Sequence, residues 1–435
     1  MKKNIRGIKR IMTLAGCSLC AISSPFVQAG GLLLYEIGTA DTGLASAGYT
    51  ARAQDAATVF TNPAGMTRLD GDQVTVGLQA LYGRSSFEVD PSGTSPRLGM
   101  NGGGNAIGWL PGGGVFYSHS ISPDLKIGVA ATGNFGLAVK YDNDWAGRYR
   151  TQEATLMGIS LVPAAAYRIN ENLSIGASMN IMRGIFKTKV GINNLIGSDG
   201  QLELSDNVWG LGGNLGLLYE FDPSTRVGLN YNSQIKLDYS AQPKWNGIGR
   251  GLNTLLGATG LNNARVDLGV TVPQGVNVGL YHDISPQMAI LASVGWQQWS
   301  KFGEVDVGVD SNNPISLTTN RDFKDTYHAA LGGQYRLNQR LMLMSGIAYD
   351  SEFQDSNNIG PAIPTNDTWR FGVGAQIEES KVMNWGINVE YMYAGSLKTN
   401  LSGVSPIVGA RGNLKGEYKQ PAGILFLGLN LNYKL

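Results

Sequence analysis

The last eleven residues of the chain alternate without a break. Leu425, Leu427, Leu429, Leu431, Tyr433 and Leu435 fall on one face, and Phe426, Gly428, Asn430, Asn432 and Lys434 on the other. A strand sends successive side chains to opposite faces, so this segment asks for apolar surroundings on one side and something more polar on the other. With an aromatic third from the end, it reads as the closing strand of an outer-membrane β-barrel.

The front of the chain agrees. Met1 to Arg10 carries Lys2, Lys3, Arg6, Lys9 and Arg10 with no acid, an apolar stretch runs from Ile11 to Ile22, and Val27-Gln28-Ala29 places small residues before Gly30. This pattern predicts a Sec-type signal peptide, residues 1–29, removed after Ala29. Leu14-Ala15-Gly16-Cys17 resembles a lipoprotein box, but only four apolar residues separate Arg10 from Gly16, too few for the apolar region of a signal. Both cysteines, Cys17 and Cys20, lie in the removed part, which leaves no disulfide, thiolate chemistry or cysteine metal site. Without the five cations of the signal, 29 basic residues face 33 acidic ones. A net charge near −4 does not suit a nucleic-acid partner. After the signal no run of about 20 apolar residues occurs, which excludes helical spans, and the mean hydropathy is only −0.09. A lipid-exposed strand escapes such a scan because only every second residue is apolar.

Gly30 to Asp70 does not read as barrel wall. It is rich in Gly, Ala and Thr, with the small-residue stretch Gly43-Leu44-Ala45-Ser46-Ala47-Gly48, a composition suited to folding inside a barrel. Strands follow, marked by alternation such as Val74, Val76, Leu78, Ala80 and Tyr82, or Trp369, Phe371, Val373, Ala375 and Ile377. Short turns such as Ile121-Ser122-Pro123-Asp124 and Asp222-Pro223-Ser224 alternate with longer connections at 85–112, 191–207, 241–263, 305–321, 352–366 and 396–417. Strands are expected near residues 72, 113, 124, 154, 172, 207, 224, 264, 287, 322, 340, 367, 382 and 418, fourteen in all. An even number puts both ends of the wall on the periplasmic side. The connection at 241–263 carries Trp245, Ile248, Leu252, Leu255, Leu256 and Leu261. It is either a loop packed on its neighbours or a landing surface for an apolar ligand.

No catalytic machinery emerges. His119, His282 and His328 are the only histidines, and none stands at metal spacing with another ligand. In Ser118-His119-Ser120 adjacent residues point to opposite faces, and Pro111-Gly112-Gly113-Gly114 precedes a strand rather than a helix, so it is no phosphate cradle. Neither a metal nor a cofactor is expected.

Several segments in order carry a likeness: Gln54 to Phe60 followed by Asn62-Pro63-Ala64, Ala131 to Ala138, Pro163 to Arg168, Trp296 to Phe302, Phe323 to Tyr327, Gly346 to Asp350 and Ile363 to Asp367. The chain resembles the FadL/TodX family of outer-membrane transporters for long-chain fatty acids and other hydrophobic compounds, over essentially its whole mature length. The resemblance implies an all-β fold: a fourteen-stranded antiparallel transmembrane barrel (residues 71–435) plugged by an N-terminal hatch (residues 30–70), the hatch motif being Asn62, Pro63, Ala64 and Gly65. It implies capture of ligand in an apolar groove between extracellular loops, an internal pocket, and lateral release where the third strand kinks at Asn134, Phe135 and Gly136. Ligand contacts are expected from Leu32, Leu33 and Leu34 at the hatch tip, from Leu252, Leu255 and Leu256, and from Lys324. Fatty-acid members place cations around the ligand carboxylate; Lys324 fits one such position, while Val190 stands at the other, with Lys187 and Lys189 close by. The terminal Leu435 departs from the usual Phe.

The expectation is passive uptake of long-chain fatty acids or similar hydrophobic molecules across the outer membrane of a Gram-negative bacterium. The partners would be those molecules, outer-membrane lipid and lipopolysaccharide, and the barrel assembly machinery through the C-terminal strand. Uptake of monoaromatic or aliphatic hydrocarbons by the same fold is the alternative, and a general porin or surface adhesin a further one.

Overall fold

A computed structural model describes residues 33–194, 196–403 and 411–435. The signal peptide, both cysteines and Leu32 lie outside the described residues. Fourteen antiparallel strands form the wall: β1 (Gln73–Arg84), β2 (Gly108–Ser120), β3 (Leu125–Lys140), β4 (Glu153–Arg168), β5 (Leu173–Ile192), β6 (Gly200–Asp222), β7 (Thr225–Asn232), β8 (Gly275–Ser285), β9 (Met288–Gln297), β10 (Thr326–Arg336), β11 (Leu341–Asp350), β12 (Thr368–Glu378), β13 (Met383–Tyr393) and β14 (Gly423–Lys434). Each pairs with its sequence neighbours, and β14 closes the ring on β1 in a register that sets Val74 against Tyr433 and Arg84 against Gly423. Closure leaves no edge, the condition for sheet to stand in lipid.

Parity along each strand sorts the residues. In β14, Leu427, Leu429, Leu431 and Tyr433 face outward, while Phe426, Asn430 and Asn432 are buried inside. Outward aromatics gather at two levels: Trp109, Tyr327 and Trp369 at the end carrying the long loops, and Tyr167, Tyr219, Tyr335 and Tyr433 at the end carrying the short turns. Between them lie Leu78, Ile159, Leu215, Leu331 and Val373. An apolar band between two aromatic girdles is the lipid-facing surface of a membrane barrel.

One expected strand lies elsewhere. Alternation near residue 264 is real, but Arg265–Val272 pairs with Ile235–Ala241 and Glu304–Asp310, which in turn pairs with Ile315–Asn320, in a separate four-stranded sheet at the loop end. Pro273 follows and has no N–H to give a ladder, and the wall resumes as β8 at Gly275. The seventh and eighth wall strands are therefore joined through this sheet and the loop helix Arg250–Thr259, and the total stays fourteen. A second small sheet at that end joins Phe87–Val89, Lys398–Leu401 and Leu414–Tyr418.

Residues 33–72 run inside the ring as short turns, 3₁₀ at Ala40–Leu44 and Pro63–Arg68 and helical at Thr58–Thr61. From Tyr35 to Leu69 every residue is buried except Gln54, Phe60 and Arg68, which are half-buried. Main chain lies directly against inward glycines. A Cβ on Gly77 of β1 would come 2.6 Å from Gly38 O, and one on Gly372 of β12 within 2.6 Å of Thr42 O. On Gly346 of β11 it would collide with Leu44 O, on Gly228 of β7 with Thr50 O, and on Gly176 of β5 with Ala64 N. Glycine is what permits this backbone-to-backbone approach.

Candidate functional site

The wall is not uniform. β2 and β3 pair only from Gly114–Thr132 down to Ser120–Lys126. Above that point β2 continues on β1 alone and β3 on β4 alone. The β3–β4 register shifts between Gly133 and Phe135, leaving Asn134 unpaired as a bulge, and Gly136 sits at φ +142°. A side chain there would be strained, and its Cβ would come 2.6 Å from Leu156 O. The two strands meet again only where Lys140 N donates to Ala106 O at 2.7 Å. The result is a gap in the hydrogen-bond ladder between β2 and β3.

The first described residues of the inner segment lie against β3 at that gap. Leu33 forms an isolated bridge with Phe135, and Leu34 N donates to Asn134 O at 2.9 Å. Behind this tip is a cavity of about 70 Å³ bounded by Leu33, Leu34, Tyr35 and a set of asparagines. It is smaller than the roughly 150 Å³ that holds a benzene. A second cavity, about 320 Å³, opens at the turn end beneath the inner segment, among Arg52, Asp55, Arg68, Arg340 and Lys434. The two share no lining residue.

Just below the tip, Glu36 enters a buried ion cluster. Arg370 of β12 bonds Glu36, Asp350 of β11 through Nε at 2.6 Å, and Glu390 of β13 at 3.4 Å. Arg370 and Glu390 are wholly buried and Glu36 nearly so. His328 Nδ1 lies 2.8 Å from Asp350 Oδ1, and its Nε2 lies 2.9 Å from Ser46 Oγ. Hydroxyl, imidazole and carboxylate thus stand in the order of a hydrolytic triad. Ser46 is completely buried, its Oγ also reaches Ala45 O at 2.6 Å, the Tyr35 ring covers the imidazole at 4.5 Å, and neither residue lines either cavity. The set ties the inner segment to β10, β11 and β12.

The other expected residues separate into distinct places. Asn62 is buried with its amide spent on backbone: Nδ2 donates to Thr50 O at 2.7 Å and Leu217 O at 3.0 Å, and Oδ1 accepts from Ala64 N at 3.2 Å. Pro63 and Ala64 pack on Gly176, and Gly65 leaves room for the Thr58 hydroxyl. Leu252, Leu255 and Leu256 lie on the loop helix, Leu256 fully buried, in one apolar cluster that runs through Trp299, Phe302, Leu237, Phe186 and Leu137 to Phe135 and Leu33. None of the three lines the 70 Å³ cavity. Lys324 is exposed and pairs with Glu352, whose accepting carboxylate raises the lysine above its ordinary range. Val190 faces inward and is buried, while Lys187 and Lys189 face the other way and pair with Glu153 and Glu203. No cation lines the cavity among the described residues. Of the asparagines there, Asn134 was named from the sequence as part of the kink; inward parity was the available signal for the others.

Comparison with known proteins places this geometry. The model of the outer membrane protein transport protein family (OMPP1/FadL/TodX) matches residues 20–435. The chain is 28% identical over 407 residues to a long-chain fatty acid transport protein of Salmonella typhi, covering 87% of this chain and 91% of that one. A FadL homologue of Pseudomonas aeruginosa superposes with a TM-score of 0.79 at 20% identity, over 93% of this chain and all of that one. The toluene transporter TodX of Pseudomonas putida superposes with a TM-score of 0.64 at 16% identity, over 93% of this chain and 100% of its own. The last two likenesses are of fold.

Proposed function

Because the chain belongs to the OMPP1/FadL/TodX family of outer membrane transport proteins, we propose that it takes up long-chain fatty acids or similarly hydrophobic molecules across the outer membrane without an energy source. The observation that carries this reading is the gap in pairing between β2 and β3, where Leu33 is bridged to Phe135 at the edge of an internal cavity. Irregular backbone at membrane depth is tolerated where it lines a cavity, and Asn134 of this bulge lines one. Ligand lands among the extracellular loops, where Leu252, Leu255 and Leu256 belong to the apolar cluster leading inward. Withdrawal of the tip enlarges the cavity, and the ligand leaves sideways past Asn134, Phe135 and Gly136 into the bilayer. Residues 30–70 act as the hatch, with Asn62, Pro63, Ala64 and Gly65 as its fixed foot, and 71–435 as the transmembrane barrel. Residues 1–29 form the leader, cut after Ala29, and β14 presents its apolar face to the assembly machinery and to outer-membrane lipid and lipopolysaccharide. Transfer of about 0.8 kcal/mol per CH₂ suffices to draw an acyl chain along such a path.

A second reading, uptake of monoaromatic or aliphatic hydrocarbons, is favoured by one observation: Lys187 and Lys189 lie on the outer face and Lys324 is engaged with Glu352, so no carboxylate clamp stands at the cavity among the described residues. Binding of labelled oleate to the refolded barrel, with toluene as competitor and Gly136→Val alongside, tests both. Saturable oleate binding that toluene leaves in place, with Gly136→Val binding normally but failing to restore uptake in a deletion strain, supports the first reading. Displacement by toluene supports the second. Binding of neither overturns the transport reading.

A further inference from the structure

The ion cluster below the tip holds more carboxyl groups than cations to match them. Ser46 Oγ lies 2.6 Å from Ala45 O, and two oxygens so close need a proton between them. The hydroxyl has one, so it donates to the carbonyl. His328 Nε2, at 2.9 Å, must then donate to Ser46 Oγ. Its Nδ1, at 2.8 Å, must donate to Asp350, a carboxylate that can only accept. With a proton on both ring nitrogens, His328 is an imidazolium. The count is two cations, Arg370 and His328, against three carboxyl groups, Glu36, Asp350 and Glu390, all buried. Asp350 is fully engaged, accepting from His328, from Arg370 Nε at 2.6 Å and from Thr368 Oγ1 at 3.2 Å. Glu36 and Glu390 are not. Each reaches the same nitrogen, Arg370 Nη1, through Oε1, and each keeps a buried Oε2 with no partner among the described residues. Two carboxyl groups gathered on one nitrogen away from water cannot both ionise. The phenols beside them are Tyr35, whose ring covers His328, and Tyr49, edge-on to Tyr35. Asp41 and Arg52 pair with each other further along the inner segment, and Glu390 stands opposite Phe426 of β14.

We propose that Glu36 and Glu390 hold a single proton between them, and that its release frees the tip. This rests on the uptake reading, in which the tip withdraws, and adds what controls the withdrawal. With the proton in place the cluster is neutral: two cations, two carboxylates and one shared acid. Without it, one negative charge is left over in the interior, where an unmatched charge is strongly disfavoured. Glu390 cannot relieve it, because β13 is paired on both sides, to β12 and β14. Glu36 can, since it ends the held part of the inner segment, next to a tip bonded to β3 through Leu34 N. The proton belongs to the pair and to neither residue alone. The seated tip is the protonated state, and withdrawal carries Glu36 toward water and gives the proton up. Withdrawal is therefore favoured as pH rises, by about tenfold per pH unit for one proton released.

The test uses the refolded mature barrel, whose residues from Gly30 on include no cysteine, with Leu33→Cys carrying a nitroxide spin label. Its electron spin resonance spectrum is recorded without ligand from about pH 5 to about pH 9. The ratio of mobile to immobile label is expected to rise with pH, by about tenfold per unit over the steepest part. In Glu36→Gln and Glu390→Gln an amide N–H stands in for the shared proton. There the ratio should stay level across the range, with heat-modifiable gel mobility confirming a folded barrel. A merely structural cluster would lose stability in these variants without losing a pH dependence. A ratio independent of pH in the barrel with both glutamates overturns the proposal. So does a rise that persists in both variants, which would assign the proton to His328. Oleate binding to the same labelled barrel separates this proposal from the reading beneath it. Saturable binding with a label indifferent to pH removes the proton control and leaves uptake standing. Absence of binding at every pH removes the uptake reading and the proposal with it.

Discussion

From Glu36 to Leu69 the inner segment is fixed to the wall by buried charges and by main chain laid against glycine, whereas Leu33 and Leu34 pack among apolar side chains and are bridged to β3 by the 2.9 Å hydrogen bond from Leu34 N to Asn134 O. The foot has Arg52 held between Asp41 at 3.0 Å and Asp55 at 2.8 Å, and Arg226 of β7 donating to Ala51 O and Arg52 O. A single backbone hydrogen bond contributes about 1 kcal/mol, but removing one member of a buried ion set costs about 3–5 kcal/mol. The two regions are contiguous in sequence and differ in the polar interactions that hold them. That contrast predicts that, in a gating motion, the inner segment divides at Glu36 and the residues before it move while the remainder stays seated.

The largest expected effect comes from attacking the firm region. Arg370→Met leaves Glu36, Asp350 and Glu390 around an apolar side chain, and should lower stability by about 3–5 kcal/mol in urea unfolding of the barrel in lipid. A loss below about 1 kcal/mol would mean that the cluster does not hold the segment. Gly346→Val comes next. Its Cβ meets Leu44 O, a backbone atom that cannot rotate away, and overpacking of this kind costs about 1–3 kcal/mol, here with raised ion leakage in planar bilayers as the segment is pushed off its seat. The smallest effect belongs to the tip. Leu34→Pro removes the N–H given to Asn134 O and should cost no more than about 1 kcal/mol, while ligand enters faster in stopped-flow mixing. Equal destabilisation by Leu34→Pro and Arg370→Met would erase the contrast between the two regions.

How far the sequence carried depended on whether a feature was local. β14 was legible residue by residue because parity and turn chemistry are properties of neighbours, and so was the alternation of short turns with long loops. Arg265–Val272 has the same alternation as a wall strand and belongs to another sheet; period two reports a two-faced strand, not the identity of its partner. The displaced start of β8 has the same origin. The ion cluster was illegible for a different reason: Glu36 and Arg370 are 334 positions apart, and Ser46 and His328 are 282 apart. Lys187 and Lys189 illustrate the reverse case, since their parity relative to buried Phe186, Thr188 and Val190 already places them outside. The asparagine lining was half-legible. Parity turns Asn180 and Asn230 inward, but only the closed ring reveals that both border the 70 Å³ cavity.

The glycine positions of the wall have a consequence for how such a protein can change. At Gly77, Gly176, Gly228, Gly346 and Gly372 the approaching atoms are main-chain atoms, which are the same whatever residue is written there. A bulkier residue at one of these wall sites cannot be compensated by trimming a side chain on the inner segment, because there is none to trim. At these five sites the constraint falls on the path of the insert, while its side chains are fixed elsewhere, at Glu36, Arg52 and Asn62. There the lumen acts as a mould that records a route.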